Sequence, residues 1–163
     1  MDRIVCGEGP GSFTSLRIAA SIAKGLAAAA DRPLYAVSSL ALMVAAVSPP
    51  LAAGEYVAVL DALRGEAYAA RCLVHEGGEV TEVSDLALVA RDDIAALAAA
   101  GRPVVGDGLG LAATPHARGV LRVSAILDRG GPVDLRQWEP RYGRVAEAQR
   151  RWEAAHGRSL ADA

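Results

Sequence analysis

Aromatic side chains are scarce in this chain of 163 residues: one Phe, four Tyr and two Trp, 4% of the total. Hydrophobic residues nevertheless make up 52%, so the core is expected to be Ala, Val and Leu rather than rings. Cysteine is nearly missing too. Cys6 and Cys72 stand alone, far apart and without a partner spacing, which reads as two buried free thiols. The three histidines, His75, His116 and His156, fall in separate segments with no His-x-x-x-His or Cys-His spacing, so no metal site is expected. Positive charge is not in excess: the net charge is −2 and the pI about 5.9. That excludes the broad basic footprint of a chain that binds nucleic acid by itself. Long apolar runs are lacking as well. The longest, Leu40 to Val47, is stopped by Ser48-Pro49-Pro50 and is far short of a membrane span. Met1 is followed by Asp2, and no signal peptide is visible. A cytoplasmic, packed protein is expected, with one domain or two small lobes.

What the chain does have is Gly7-Glu8-Gly9-Pro10-Gly11-Ser12-Phe13-Thr14-Ser15-Leu16-Arg17-Ile18. The apolar Arg3-Ile4-Val5-Cys6 leads into it, and an Ala-rich helical pattern to Ala30 leaves it. This spacing predicts a strand, a glycine-rich turn and a helix start. Such a turn aims backbone N–H groups at an anion, or lets a neighbour pack closely. Known phosphate loops do not fit. A Walker loop needs a Lys after its last glycine, and the only Lys, Lys24, lies more than a helix turn away. In a Gly-x-Gly-x-x-Gly frame the third position is Ser12 or Thr14, depending on the start. Glu8 adds negative charge where a phosphate would sit. A structural loop of Gly9, Pro10, Gly11, Ser12 and Thr14 is therefore favoured, with Ser12 and Thr14 as helix caps.

The remaining pattern divides the chain into residues 1–50, 51–143 and 144–163. The first part reads strand, helix, strand, helix. In the helix from Thr14 to Ala30, Arg17, Ser21 and Lys24 form one narrow polar stripe and the rest is apolar or small. So wide an apolar arc predicts burial on two sides, with Ala19, Ala20, Ala23, Gly25 and Ala27 letting a second helix approach. Ser38 or Ser39 caps the next helix, and Pro49-Pro50 ends it. Pro49 to Gly54 reads as a hinge. Strands are predicted at Val57–Leu60, Ala67–Val74, Val80–Val83 and Pro103–Gly106, with a hairpin turn at Glu76–Glu79. Helices are predicted from Asp92 to about Ala100, over Ser124–Arg129, and over a charged tail from Arg144 to Arg158. In that tail Val145, Ala148 and Trp152 share one side.

No constellation of residues for catalysis emerges. Nothing is placed by sequence to activate Ser12 or Thr14. Asp61 and Glu66, with Arg64 between them, read as a turn-stabilising charge cluster rather than an acid–base pair. Arg136, Arg141, Arg144, Arg150 and Arg151 bias the C-terminal segment, but Glu139, Glu147 and Glu153 interrupt it.

Gly-Pro-Gly-Ser-Phe-Thr followed by x-Leu-Arg-Ile resembles the signature of the TsaB-type (YeaZ) family. The resemblance continues through Ala23-Lys24-Gly25-Leu26-Ala27, Tyr35-Ala36-Val37-Ser38-Ser39-Leu40, Asp61-Ala62-Leu63-Arg64-Gly65-Glu66-Ala67-Tyr68 and Pro140-Arg141-Tyr142. Ser15 and Ala19 depart from it, standing where the family often has Gly. The resemblance implies an α/β fold of the actin-like, RNase-H-type (ASKHA) class with two lobes. Met1-Asp2-Arg3-Ile4 starts where that family's fourth strand would begin, so the first lobe is expected to be incomplete.

For function, the resemblance implies a non-catalytic partner subunit. Such subunits dimerise with a TsaD-like catalytic subunit, act with a TsaE-like ATPase, and meet tRNA only through the complex. That complex makes N6-threonylcarbamoyladenosine at position 37 of tRNAs reading codons that begin with A. No cofactor and no catalytic residue are implied. The helix after the glycine loop belongs to the helical interface of such pairs, which points to Phe13, Leu16, Ile18, Ile22 and Leu26; a homodimer through the same face is a further expectation. Two alternatives stay open: a kinase-like or glycoprotease-like enzyme of the same fold, and a non-functional fragment.

Overall fold

A computed structural model of the chain describes residues 2–98, 101–106, 110–144 and 155–157. It opens with a parallel pair of strands, β1 (Ile4–Gly9) and β2 (Leu34–Ser38), joined by helix α1 (Phe13–Ala30). β1 does not stop at Cys6. It runs through both glycines, with an irregularity in register between Gly7 and Gly9. α1 ends at Asp31, which turns into the left-handed region (φ 49°) and returns its N–H to the Ala27 carbonyl. Only one face of α1 is covered: Leu16, Ala20, Ala23 and Ala27 are buried. Ala23 and Ala27 meet Ile4, Cys6 and Leu34, with Val133, Leu135 and Trp138 packed alongside. The expected burial on two sides is therefore not what α1 has. Its alanines bring it close to the sheet, while nothing lies within 4 Å of where a Cβ at Gly25 would stand.

Helix α2 (Ser39–Ala45) follows β2 directly, and all seven of its residues are buried. Ser38 caps it as the sequence predicts, its hydroxyl accepting from the N–H groups of Leu40 (3.2 Å) and Ala41 (3.4 Å). The carbonyls at the other end receive arginines. Arg118 donates to Ala46 at 2.7 Å, and Arg122 to Ala45 and Val47 at 3.0 and 3.1 Å. Both arginines stand on a 3-10 turn, Ala117–Arg122, that the sequence pattern did not predict. His116 starts that turn, its Nδ1 accepting from the Arg118 N–H at 3.0 Å.

The second sheet contains β3 (Gly54–Asp61), β4 (Glu66–Val74), β5 (Val80–Glu82), β6 (Ala87–Ala90) and β7 (Val104–Gly106). Its order is β5-β4-β3-β7, and β6 pairs with the start of β4. β3 and β4 form the long antiparallel pair, and β7 joins β3 in parallel. β6 is short and mostly exposed, so it carries no alternating pattern that would have betrayed it. The helix expected from Asp92 begins as a 3-10 turn at Arg91–Asp93 and continues as α3 (Ile94–Ala98). Helix α4 (Ser124–Gly130) lies where expected. The predicted tail helix falls largely outside the described residues.

The largest core cluster draws on both sides of the Pro49–Gly54 segment. Val37, Leu40, Met43 and Val44 pack with Ala58, Cys72, Val105 and Val123. α2 is thus shared property of both halves. Both cysteines are free and buried. Burial, reinforced by Glu82, pushes the Cys72 thiol up to about 12.

Candidate functional site

The glycine loop is held by the far end of the chain. At Gly9 the backbone turns to φ 110°, and a Cβ there would collide with the carbonyl oxygen of Arg141. The Arg141 N–H donates to the Glu8 carbonyl at 2.6 Å, and its guanidinium stands 3.5 Å from the Glu8 carboxylate. Glu8 is thereby engaged inside the molecule. Glycine is required because two backbones meet here.

One residue further on, the Phe13 ring packs on Tyr142, with centroids 4.7 Å apart and planes tilted 38°. The Tyr142 carbonyl accepts from the Tyr68 hydroxyl at 3.1 Å. Arg144 donates to the Glu66 carboxylate at 2.8 Å. So three segments far apart in sequence, the glycine loop, the Asp61–Tyr68 hairpin and Pro140-Arg141-Tyr142, come together. Asp61 and Glu66 are each engaged by an arginine from elsewhere: Arg91 binds Asp61 at 3.1 Å and Arg144 binds Glu66. Asp61 also accepts from the Leu63 N–H at 3.1 Å within the turn, and both carboxylates tie the hairpin to arginines beyond it.

The residues expected on a contact face separate into two groups. Ile18, Ile22 and Leu26 are 56%, 57% and 52% exposed, and Phe13 42%. At i, i+4 and i+8 the first three form a continuous apolar stripe along α1. Leu16 is not part of it. It is buried beneath the glycine loop, in contact range of Gly9 and Gly11. Two residues before Ile18, it lies about 200° round the helix from it and faces inward. Ser12 occupies the N-cap position of α1 but makes no side-chain capping bond, and no acidic residue stands in the first turn. The capping role expected of Ser12 and Thr14 is not seen. Of the polar stripe, Lys24 folds over the Trp138 ring at 5.7 Å and Arg17 over Phe13 at 5.4 Å.

A cleft of about 660 Å3 opens beside the glycine loop at the carboxyl ends of β1 and β2, bounded by Glu8, Ser38, Glu82, Asp85, Arg129 and Arg141. Sequence reasoning missed it because its walls come from five separate segments. Burial pushes the Glu82 carboxyl up, and a hydrogen bond from Ser38 and the charge of Arg141 oppose that only in part. His75 lies away from the cleft, exposed, with Nε2 3.0 Å from the Thr81 hydroxyl. Among the described residues no three His, Cys, Asp or Glu side chains gather as a metal site. No helix among them is long and apolar enough to cross a membrane.

A family model described as TsaD: tRNA N6-adenosine threonylcarbamoyltransferase matches residues 1–110. The tRNA threonylcarbamoyladenosine biosynthesis protein TsaB of Haemophilus influenzae is 43% identical over 68 residues, which is 42% of this chain and 29% of that protein. The Escherichia coli protein of the same name is 38% identical over 78 residues, 48% of this chain and 34% of that protein. The match thus spans about a third of the length of these two relatives. The Bacillus subtilis TsaB is 28% identical over 177 residues, covering 93% of this chain and 73% of that protein. YeaZ from Pseudomonas aeruginosa superposes with a TM-score of 0.72 at 30% identity, over 87% of this chain and 74% of that one. A second Pseudomonas aeruginosa structure, of an uncharacterized protein with similarity to peptidase YEAZ, gives a TM-score of 0.73 at 29% identity, over 88% of this chain and 74% of that one. The α/β architecture is therefore that of YeaZ, and with YeaZ matched at 30% identity over 74% of its length the chain belongs to the TsaB (YeaZ) family.

Proposed function

We propose that this chain acts in the cytoplasm in the formation of threonylcarbamoyladenosine on tRNA, as a non-catalytic subunit that docks on a TsaD-like catalytic partner through the outer face of α1. The observation that carries this reading is the stripe of Ile18, Ile22 and Leu26, each more than half exposed on a helix whose other face is fully packed. Large apolar side chains aligned on one helix face mark a contact surface. Burying the exposed half of each contributes roughly 1 kcal/mol. Phe13, at the start of the same helix, extends the patch toward Tyr142. The TsaB relatives, which are tRNA threonylcarbamoyladenosine biosynthesis proteins, support the pathway. A TsaE-like ATPase would act on the pair, and tRNA would be met only by the assembled complex. Without TsaD, the same stripe would favour a homodimer.

The test is binding to a TsaD-like subunit by pull-down and calorimetry. Burying an unpaired charge costs several kcal/mol, against about 8 kcal/mol for a micromolar complex. Ile22→Glu should therefore abolish binding. Lys24→Glu should weaken it only modestly, because Lys24 is occupied with Trp138. Ile22 is exposed, so the variant should keep its circular dichroism spectrum. If a well-folded Ile22→Glu chain bound at the parent level, α1 would not be the interface. The purified chain alone should neither hydrolyse ATP nor modify tRNA, and robust turnover by it would overturn the non-catalytic role.

A further inference from the structure

The cleft at the carboxyl ends of β1 and β2 is not used by the partner surface. Its volume, about 660 Å3, falls in the range of small-molecule sites. The carboxyl ends of parallel strands are where open α/β sheets receive ligands. Glu8 and Glu82 both line the cleft, close enough that the Glu8 charge adds to the burial that pushes the Glu82 carboxyl up, with Arg141 beside both. From α4, Arg129 lines the same cleft and makes no hydrogen bond or ion pair with the described residues. Gly130 and Gly131 follow it, and a Cβ at either would meet nothing within 4 Å, which leaves room beside the guanidinium. The cleft thus holds three carboxylates, Glu8, Glu82 and Asp85, with Arg141 beside the first two, and on α4 a guanidinium with no partner among the described residues.

We propose that this cleft binds a small zwitterion of the amino-acid type, its ammonium on the Glu8/Glu82 pair and its carboxylate on Arg129. A phosphate ester would meet Glu8, Glu82 and Asp85 together, and a simple cation would leave Arg129 unmatched. An ammonium beside Glu82 would compensate a partly buried carboxyl that is now short of positive charge. The Ala36, Val83, Leu86, Ile126 and Val133 side chains, which also line the cleft, would take the apolar body of the ligand.

Saturation-transfer NMR on the full chain tests this with L-alanine, L-phenylalanine and glycylglycine as zwitterions, and with propionate and ethylamine as their single-charge counterparts. The zwitterions should receive saturation at millimolar concentration and the two counterparts should not. Arg129→Gln and Glu82→Gln should each weaken binding about tenfold or more, the loss of one charge-assisted contact. Arg129 is exposed, so that variant should retain its circular dichroism spectrum and keep the test readable. No saturation of any zwitterion, equal saturation of propionate or ethylamine, or unchanged affinity in Arg129→Gln would each overturn the assignment.

Discussion

α1 and α2 are consecutive helices built from the same Ala- and Leu-rich vocabulary, yet they end in opposite states. α2 is seven residues long and wholly buried, with its first N–H groups taken by Ser38 and its last carbonyls by Arg118 and Arg122. α1 is 18 residues long, lacks a side-chain cap and leaves three branched side chains in solvent. Composition alone does not separate the two. What separates them is how many sheet and helix surfaces reach each one. A helix that every neighbour touches is structural. A helix left half open, with an apolar open half, has surface to give to another molecule.

The comparison breaks first if the two helices respond alike to truncation. Met43→Ala, inside α2, should cost about 2–5 kcal/mol, whereas Ile22→Ala on the open face of α1 should stay within about 0.5 kcal/mol. Urea unfolding of both variants measures this, and equal losses would mean that α1 is covered in solution. Arg122→Ala leaves the carbonyls of Ala45 and Val47 without their donor and should cost about 1–3 kcal/mol by the same measurement. The glycines sharpen the contrast further. Gly9→Ala forces a strained backbone against Arg141 and should destabilise by about 1–3 kcal/mol. Gly25→Ala, in open space on α1, should stabilise by about 0.5–1 kcal/mol.

The last contrast lies in the alkaline limb. Cys72 titrates at about 12 in the folded chain against an ordinary 9.0. Because the folded value is raised, its contribution is fully present below pH 9.0 and is lost as pH rises toward 12. Cys72→Ala should flatten the fall in stability across that window, whatever its effect at neutral pH.

Much of this architecture was legible in the chain. The apolar run at Ile4, the glycine turn and the Ala-rich stretch specify strand, loop and helix by local chemistry. Ser38 announces α2, and Gly130-Gly131 closes α4. What was not legible depends on distant partners. Gly9 must be glycine because Arg141 passes over it, and no spacing near Gly9 reveals that. Leu16 looks like its exposed neighbours in sequence, but the loop folds onto it. The 3-10 turn that carries Arg118 and Arg122 is defined by the carbonyls it serves. The cleft is the extreme case, since its walls come from β1, β2, β5, α4 and the segment around Arg141. The stripe on α1 was visible as a pattern, but only the fold separates the residues left in solvent from those the sheet covers.

Hydroxyl-radical footprinting of the chain with and without a TsaD-like subunit tests the central claim most directly. Ile18, Ile22 and Leu26 should lose reactivity in the complex. Leu121, 86% exposed on a distant turn, should keep its own and serves as the internal control. Unchanged labelling of the α1 stripe in a complex shown to have formed would contradict the account.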